Sequence, residues 1–191
     1  MRVLVACEFS GVVRDAFRRY GHDAMSCDLE PSETHGSHFI GDVRCILHDG
    51  WDLMVAHPPC TYLANSGVQY LFSREGREEQ MKIARMFFME LLNAPIPKIA
   101  VENPTPHRYA QLPPYSQAIQ PCDFGHTQTK RTCLWLKGLP PLMPTDDCRQ
   151  VTSQLPARER MPLWWGGSRN KKNRSRTFTG IADAMAQQWG V

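Results

Sequence analysis

The chain has seven cysteines, at Cys7, Cys27, Cys45, Cys60, Cys122, Cys133 and Cys148, yet no two of them are spaced as CxxC. Zinc knuckles and ribbons need thiolates paired at short spacing, so no metal is expected. The count is odd, and Cys7, Cys27 and Cys133 fall in apolar strand-like runs. Both features suit small core thiols in a reducing cytoplasm. No apolar stretch is long enough to span a bilayer, and "MRVLVACEF" enters a strand-like run with no signal-peptide pattern, so no membrane partner is expected. There is no GxGxxG, no lysine-bearing phosphate loop and no internal repeat. A large charge of one sign is also lacking: 22 basic residues against 19 acidic leave +3. That does not by itself argue for nucleic acid. The local exception is "SRNKKNRSR", where Arg169, Lys171, Lys172, Arg174 and Arg176 occur without an acid. Such a run either tracks phosphates or forms a solvated loop.

What is present reads as strands alternating with helices. The 191 residues, 42% of them hydrophobic, suffice for one domain with a substantial core. "RVLVAC" (Arg2–Cys7) is a short β-rich run. In "SGVVRDAFRRYG", Val12, Val13, Ala16, Phe17 and Tyr20 recur at helical spacing and Gly21 is the stop. "HDAMSCD", "HFIGDV" and "WDLMVAH" read as the second, third and fourth strands. In "REEQMKIARMFFMELLNA", Met81, Ala84, Phe87, Phe88, Leu91 and Leu92 form one apolar helical stripe. "KIAVEN" (Lys98–Asn103) is a fifth strand, "RTCLWL" a further one, and "TGIADAMAQQWG" a closing helix. This pattern predicts an α/β fold with a mostly parallel, doubly wound sheet and ligands at its carboxyl edge. We read 1–191 as a single domain, in which "QLPPYSQAIQPCDFG" and the polar, basic stretch 146–176 are irregular.

Three strand ends carry ligand-binding chemistry. "ACEFSG" is a tight turn of small residues that opens a helix, so its amides are expected to face a ligand. Asp28, with Glu30 just after it, ends the second strand and suits a ribose diol. Asp42 follows the third run, where a carboxylate accepts from an exocyclic amine. Together they point to an adenosine-containing cofactor. In "WDLMVAHPPCTYLANSG" a strand runs into Pro58-Pro59 and then Cys60. Alone, this is either a stiff corner with a packed thiol or a held nucleophile. Glu102 ends the neighbouring strand in the expected sheet. A thiol and a carboxylate aimed at one cleft tip the balance towards catalysis.

These segments resemble the cytosine-5 methyltransferases, and more closely the short phage- and prophage-encoded proteins of that kind. "EFSG" resembles the family's first motif, "PPC" its catalytic motif, "ENP" its ENV, "FGHTQTKRT" its Gln-x-Arg-x-Arg segment and "TGIADAMA" its closing motif. The resemblance implies S-adenosylmethionine as cofactor, held by Phe9, Ser10, Gly11, Asp28, Glu30, Asp42, Val43, Pro58, Ala182 and Asp183, with Phe9 stacked on adenine. It implies that Cys60 and Glu102 are catalytic. Cys60 would add to carbon 6 of cytosine to activate carbon 5, and Glu102 would hold the Watson–Crick edge. Pro59, Asn65, Ser66, Asn103, Gln128, Lys130, Arg131 and Thr132 would line the substrate side. The implied partner is DNA or a cytosine nucleotide, in a bacterial or phage-infected cytoplasm.

The family's large target-recognition region is lacking; the basic stretch 146–176 stands in its place. Thr132 replaces the second Arg of its motif, and Asp183 lies near the usual Asn. An inactive binding module therefore stays open. So does a cysteine hydrolase using His57 or His126, although His57 reads better as a strand-end polar residue set apart from Cys60. Trp164 and Trp165 either stack on a base or plug the sheet.

Overall fold

The computed structural model describes residues 1–161 and 175–191. Seven strands form one sheet: β1 (Arg2–Ala6), β2 (Asp23–Asp28), β3 (His38–Ile40), β4 (Leu53–Ala56), β5 (Lys98–Pro104), β6 (Gln117–Ile119) and β7 (Thr132–Lys137). Their order is β3-β2-β1-β4-β5-β7-β6. The first five are mutually parallel, and β7 runs antiparallel to both its neighbours. The chain therefore reverses direction across the sheet between β1 and β4, which places a crevice at the carboxyl ends of those strands.

Side-chain alternation divides the core into two layers. Val3 and Val5 of β1 face helix α1 (Val12–Arg19) and the C-terminal helix, α5 (Thr179–Trp189). Leu4 and Ala6 face the other way, towards Phe88 and Leu91 of α2 (Arg77–Leu92). The apolar stripe expected on α2 is seen, with Met81, Phe88 and Leu91 buried. Two short helices, α3 (Arg149–Gln154) and α4 (Ala157–Arg160), occur in the stretch read as irregular. Strand β6 likewise lies in a segment read as irregular; three residues are too few for a visible alternation. The third strand is shorter than "HFIGDV", because Asp42 turns out of the sheet and accepts the Arg44 amide at 3.0 Å. Among the described residues no helix is long and apolar enough to cross a membrane.

Helix α5 docks through a close approach at Gly180. A β-carbon there would stand 1.9 Å from the Phe124 carbonyl oxygen. The Gly180 amide donates to His126 Nε2 at 3.0 Å, and burial lowers the His126 pKa, which keeps the ring a neutral acceptor. Gly180→Ala is therefore expected to cost about 1–3 kcal/mol through overpacking, read as a lower urea midpoint at an unchanged m-value.

Candidate functional site

The turn after β1 differs from expectation. The first amides of α1 do not wait for a ligand, because Glu8 takes them itself. Its Oε1 accepts from the Val13 amide at 2.8 Å and from Ser10 Oγ at 3.1 Å, and its Oε2 accepts from the Arg14 amide at 3.3 Å. A carboxylate at a helix N-terminus satisfies orphan donors and the dipole together. Gly11 holds φ at 74°, and a β-carbon there would lie 2.2 Å from Thr34 Oγ1. Arg14, fully buried, reaches across to Ser26 Oγ, Ser32 Oγ, Thr34 Oγ1 and the His35 carbonyl. This part of the implied cofactor set, Ser10 and Gly11, thus secures loop 29–37 over the end of β1.

The larger cleft lies just beyond. It encloses about 340 Å³ at the carboxyl ends of β1 and β2, on the α2 face. Asp28, Asp42, Val43 and Pro59 line it. Phe9 is not among its walls; the rings in this cleft are Phe87 and Tyr62. The Arg44 guanidinium lies 4.6 Å above the Phe87 ring and bridges Asp42 and Glu90. Its amide first, and then its charge, hold the Asp42 carboxyl below the usual aspartate value. Asp28 Oδ1 accepts the Glu30 amide at 3.0 Å, and Glu30 itself stays outside the cleft. Cys7 forms part of the floor with φ at 58°, in the left-handed region. Burial raises its thiol pKa strongly, so Cys7 stays protonated beside the two aspartates.

A second, water-sized hollow lies on the opposite face, against α5. His57, Glu102, Lys130, Thr132, Phe178 and Met185 are among its walls. His57 Nδ1 sits 2.8 Å from Glu102 Oε2, and the two side chains are 9% and 15% exposed. Burial pushes the Glu102 carboxyl up, but the His57 hydrogen bond and charge, with Lys130, outweigh it and hold the pKa below the ordinary glutamate range. Stability drawn from the pair is thus present above the ordinary value and lost as pH falls through the lower, folded one. His57 Nε2 is buried with no partner among the described residues. In the sequence His57 reads as incidental. The signal that finds it is register: Ala56 pairs with Val101, so the next pair across β4 and β5 is His57 with Glu102.

The turn 57–60 connects the two hollows, since His57 lines the smaller and Pro59 the larger. Cys60 is half-buried, and its carbonyl accepts from the Leu63 and Ala64 amides, which starts a tight turn. Cys60 is not among the walls of either hollow. Other implied residues scatter. Pro58 is buried, while Asn65 and Ser66 are exposed on the following turn. Asn103 is turned into the sheet, with Nδ2 donating to the Pro104 carbonyl. Gln128 is half-buried and lines neither hollow. Arg131 alternates away from Lys130 and Thr132 to meet Tyr115 at the surface. Ala182 packs in the core and Asp183 pairs with Arg19, so α5 serves the scaffold at those positions and not the larger cleft. Arg176 pairs with Glu33 at 2.7 Å; Arg169, Lys171, Lys172, Arg174, Trp164 and Trp165 lie outside the described residues.

No family model and no curated protein matches the chain. Among solved structures it is similar to one described as a DNA modification methyltransferase encoded within an E. coli prophage. That match has 14% identity and a TM-score of 0.49, over 77% of this chain and 51% of that one. A methyltransferase of Entamoeba histolytica matches at 14% identity and a TM-score of 0.46, over 77% and 57%. An E. coli rRNA methylase matches at 17% identity and a TM-score of 0.41, over 71% and 56%. The chain thus spans little more than half the length of these structures. Likeness this slight carries no functional weight; the chain's own residues do.

Proposed function

We propose that this chain transfers a methyl group from S-adenosylmethionine to carbon 5 of cytosine in nucleic acid, through a Cys60 adduct at carbon 6. The observation that carries the reading is the turn 57–60. It joins a carboxylate-bearing cleft of about 340 Å³ to a buried, ionised Glu102. That volume falls in the ~300–1,000 Å³ range of small-molecule sites. The residues fit the cofactor: Asp28 is placed for ribose hydroxyls, Asp42 for an exocyclic amine, and Val43, Phe87 and Ile83 for a flat apolar ring. Bound there, the cofactor supplies an electrophilic methyl group. The chain's own part is the rest. The Cys60 thiolate adds to carbon 6, which raises electron density on carbon 5; once carbon 5 has taken the methyl group it loses its proton and the carbon–sulfur bond breaks, which returns the thiolate. Glu102, oriented by His57, accepts from the base's exocyclic amine and fixes the ring for attack at carbon 6. Pro58 and Pro59 restrict the backbone that delivers the sulfur.

The test is incubation with labelled methyl donor and separate pools of duplex DNA, single-stranded DNA, RNA and cytosine nucleotides. Label is expected in a nucleic-acid pool, and Glu102→Gln is expected to lower kcat/KM roughly 10²–10³-fold, as loss of a transition-state contact does. Donor binding with no label in any pool would replace this reading with a binding module. Thiol-dependent hydrolysis that ignores the donor would replace it with a hydrolase.

A further inference from the structure

Beside the Cys60 turn lies a cluster of arginines and aromatic rings that the proposed chemistry does not use. The Arg74 guanidinium sits 4.0 Å from the Tyr70 ring centre, Arg77 4.6 Å from Tyr62, and Arg108 4.7 Å from Tyr109. Phe72 meets Tyr109 edge-on with centres 5.1 Å apart, which draws segments 62–77 and 108–109 together. Phe72 is 73% exposed, and Arg74 and Arg108 are exposed with it. None of Arg74, Arg77 and Arg108 has an acidic partner among the described residues. Of the neighbouring acids, Glu78 and Glu79 are taken by Lys82, and Glu75 stands exposed in the same segment. Arg77 also donates to the Thr61 carbonyl at 2.8 Å, which ties the cluster to the residue after Cys60.

We infer that this cluster is the docking platform for an unpaired polynucleotide strand. Its purpose rests on the methyl-transfer reading above and names the form of the substrate. A guanidinium stacked on a ring keeps its edge donors for phosphate oxygens. The Phe72 ring, left open to solvent, has a face for a base. In a duplex those base faces are already stacked and only the edges are presented. A surface built from ring faces therefore selects a strand that is already open. Such a strand also presents its cytosine without the cost of flipping it from a helix. The platform adjoins the turn that carries the proposed nucleophile.

The experiment is anisotropy of one labelled oligonucleotide as single-stranded DNA, as single-stranded RNA and as duplex DNA, with the full chain and no methyl donor. A single strand is expected to bind at least about tenfold more tightly than the duplex. The DNA and RNA arms identify which strand is the source. Phe72→Ala is expected to weaken strand binding roughly 5–150-fold, the range for one lost stacking contact. Phe72→Trp is expected to retain it. Arg74→Ala combined with Arg108→Ala is expected to weaken binding and flatten its salt dependence. Melting temperatures show whether each variant is folded, and Phe72→Trp keeps the test decisive if Phe72→Ala is not. Equal or tighter duplex binding, no strand binding, or affinity unmoved in every folded variant would each overturn the inference. Strand binding that depends on Phe72, with no methyl transfer in any pool, would sink the catalytic reading and leave the platform standing.

Discussion

Cys60→Ala is expected to reduce methyl transfer on the order of 10³–10⁶-fold, the scale on which a covalent nucleophile is lost. The reason is electronic. Carbon 5 of cytosine is a poor nucleophile until a sulfur on carbon 6 converts the ring to an enamine. The two cysteines at the larger cleft are held as thiols. Cys7 lies on the larger cleft's floor, but burial holds its thiol protonated. Cys27, in the same cleft, is pushed up to about 12, first by burial and then by Asp28. A second measurement separates adduct formation from turnover. An oligonucleotide with fluorine on carbon 5 has no proton to release there, so the adduct persists. Mass spectrometry of the wild type should find it on Cys60, and Cys60→Ala should show none. Full methyl transfer by Cys60→Ala would end the covalent proposal, whatever the fold.

The largest effect on stability is expected at Arg14. Its side chain is wholly buried and donates to Ser26, Ser32, Thr34 and the His35 carbonyl, with Asp15 as ionic partner. Arg14→Met keeps most of the volume but leaves those acceptors and one carboxylate without their donor. Breaking a buried charge network in this way costs about 3–5 kcal/mol, which lowers Tm by roughly 6–20 °C for a chain of this size. Arg14→Lys should recover little, because a single ammonium cannot span donors arranged as a fork. Loop 29–37 would loosen, and Leu29, in the wall of the larger cleft, would move with it. Donor affinity should therefore fall alongside Tm. An unchanged Tm would show that the loop is held by something other than this guanidinium.

The strands and main helices were legible because period and length are local properties. The β-rich run "RVLVAC" becomes a strand buried on both faces, and the apolar stripe of α2 faces the core. Asp28, Asp42 and Val43 meet in one cleft for a related reason: in a parallel sheet successive strand ends collect at one edge. The differences are equally specific. The amides after β1, expected to face a ligand, are taken by Glu8. Asn103 sits next to Glu102, and one residue of register turns it to the opposite face. By sequence His57 reads only as a strand-end residue or a hydrolase base, and its pairing with Glu102 follows from the β4–β5 register.

By itself, the order of residues determined a mostly parallel α/β scaffold, with Cys60 just after one strand and Glu102 on its neighbour. Only the tertiary structure decided that Glu102 is partnered by His57, that Glu8 closes the helix end, and that Phe72 meets Tyr109. The division follows range. Hydrophobic period is written within a few residues, whereas a hydrogen bond between side chains 45 positions apart exists only once two strands share a register.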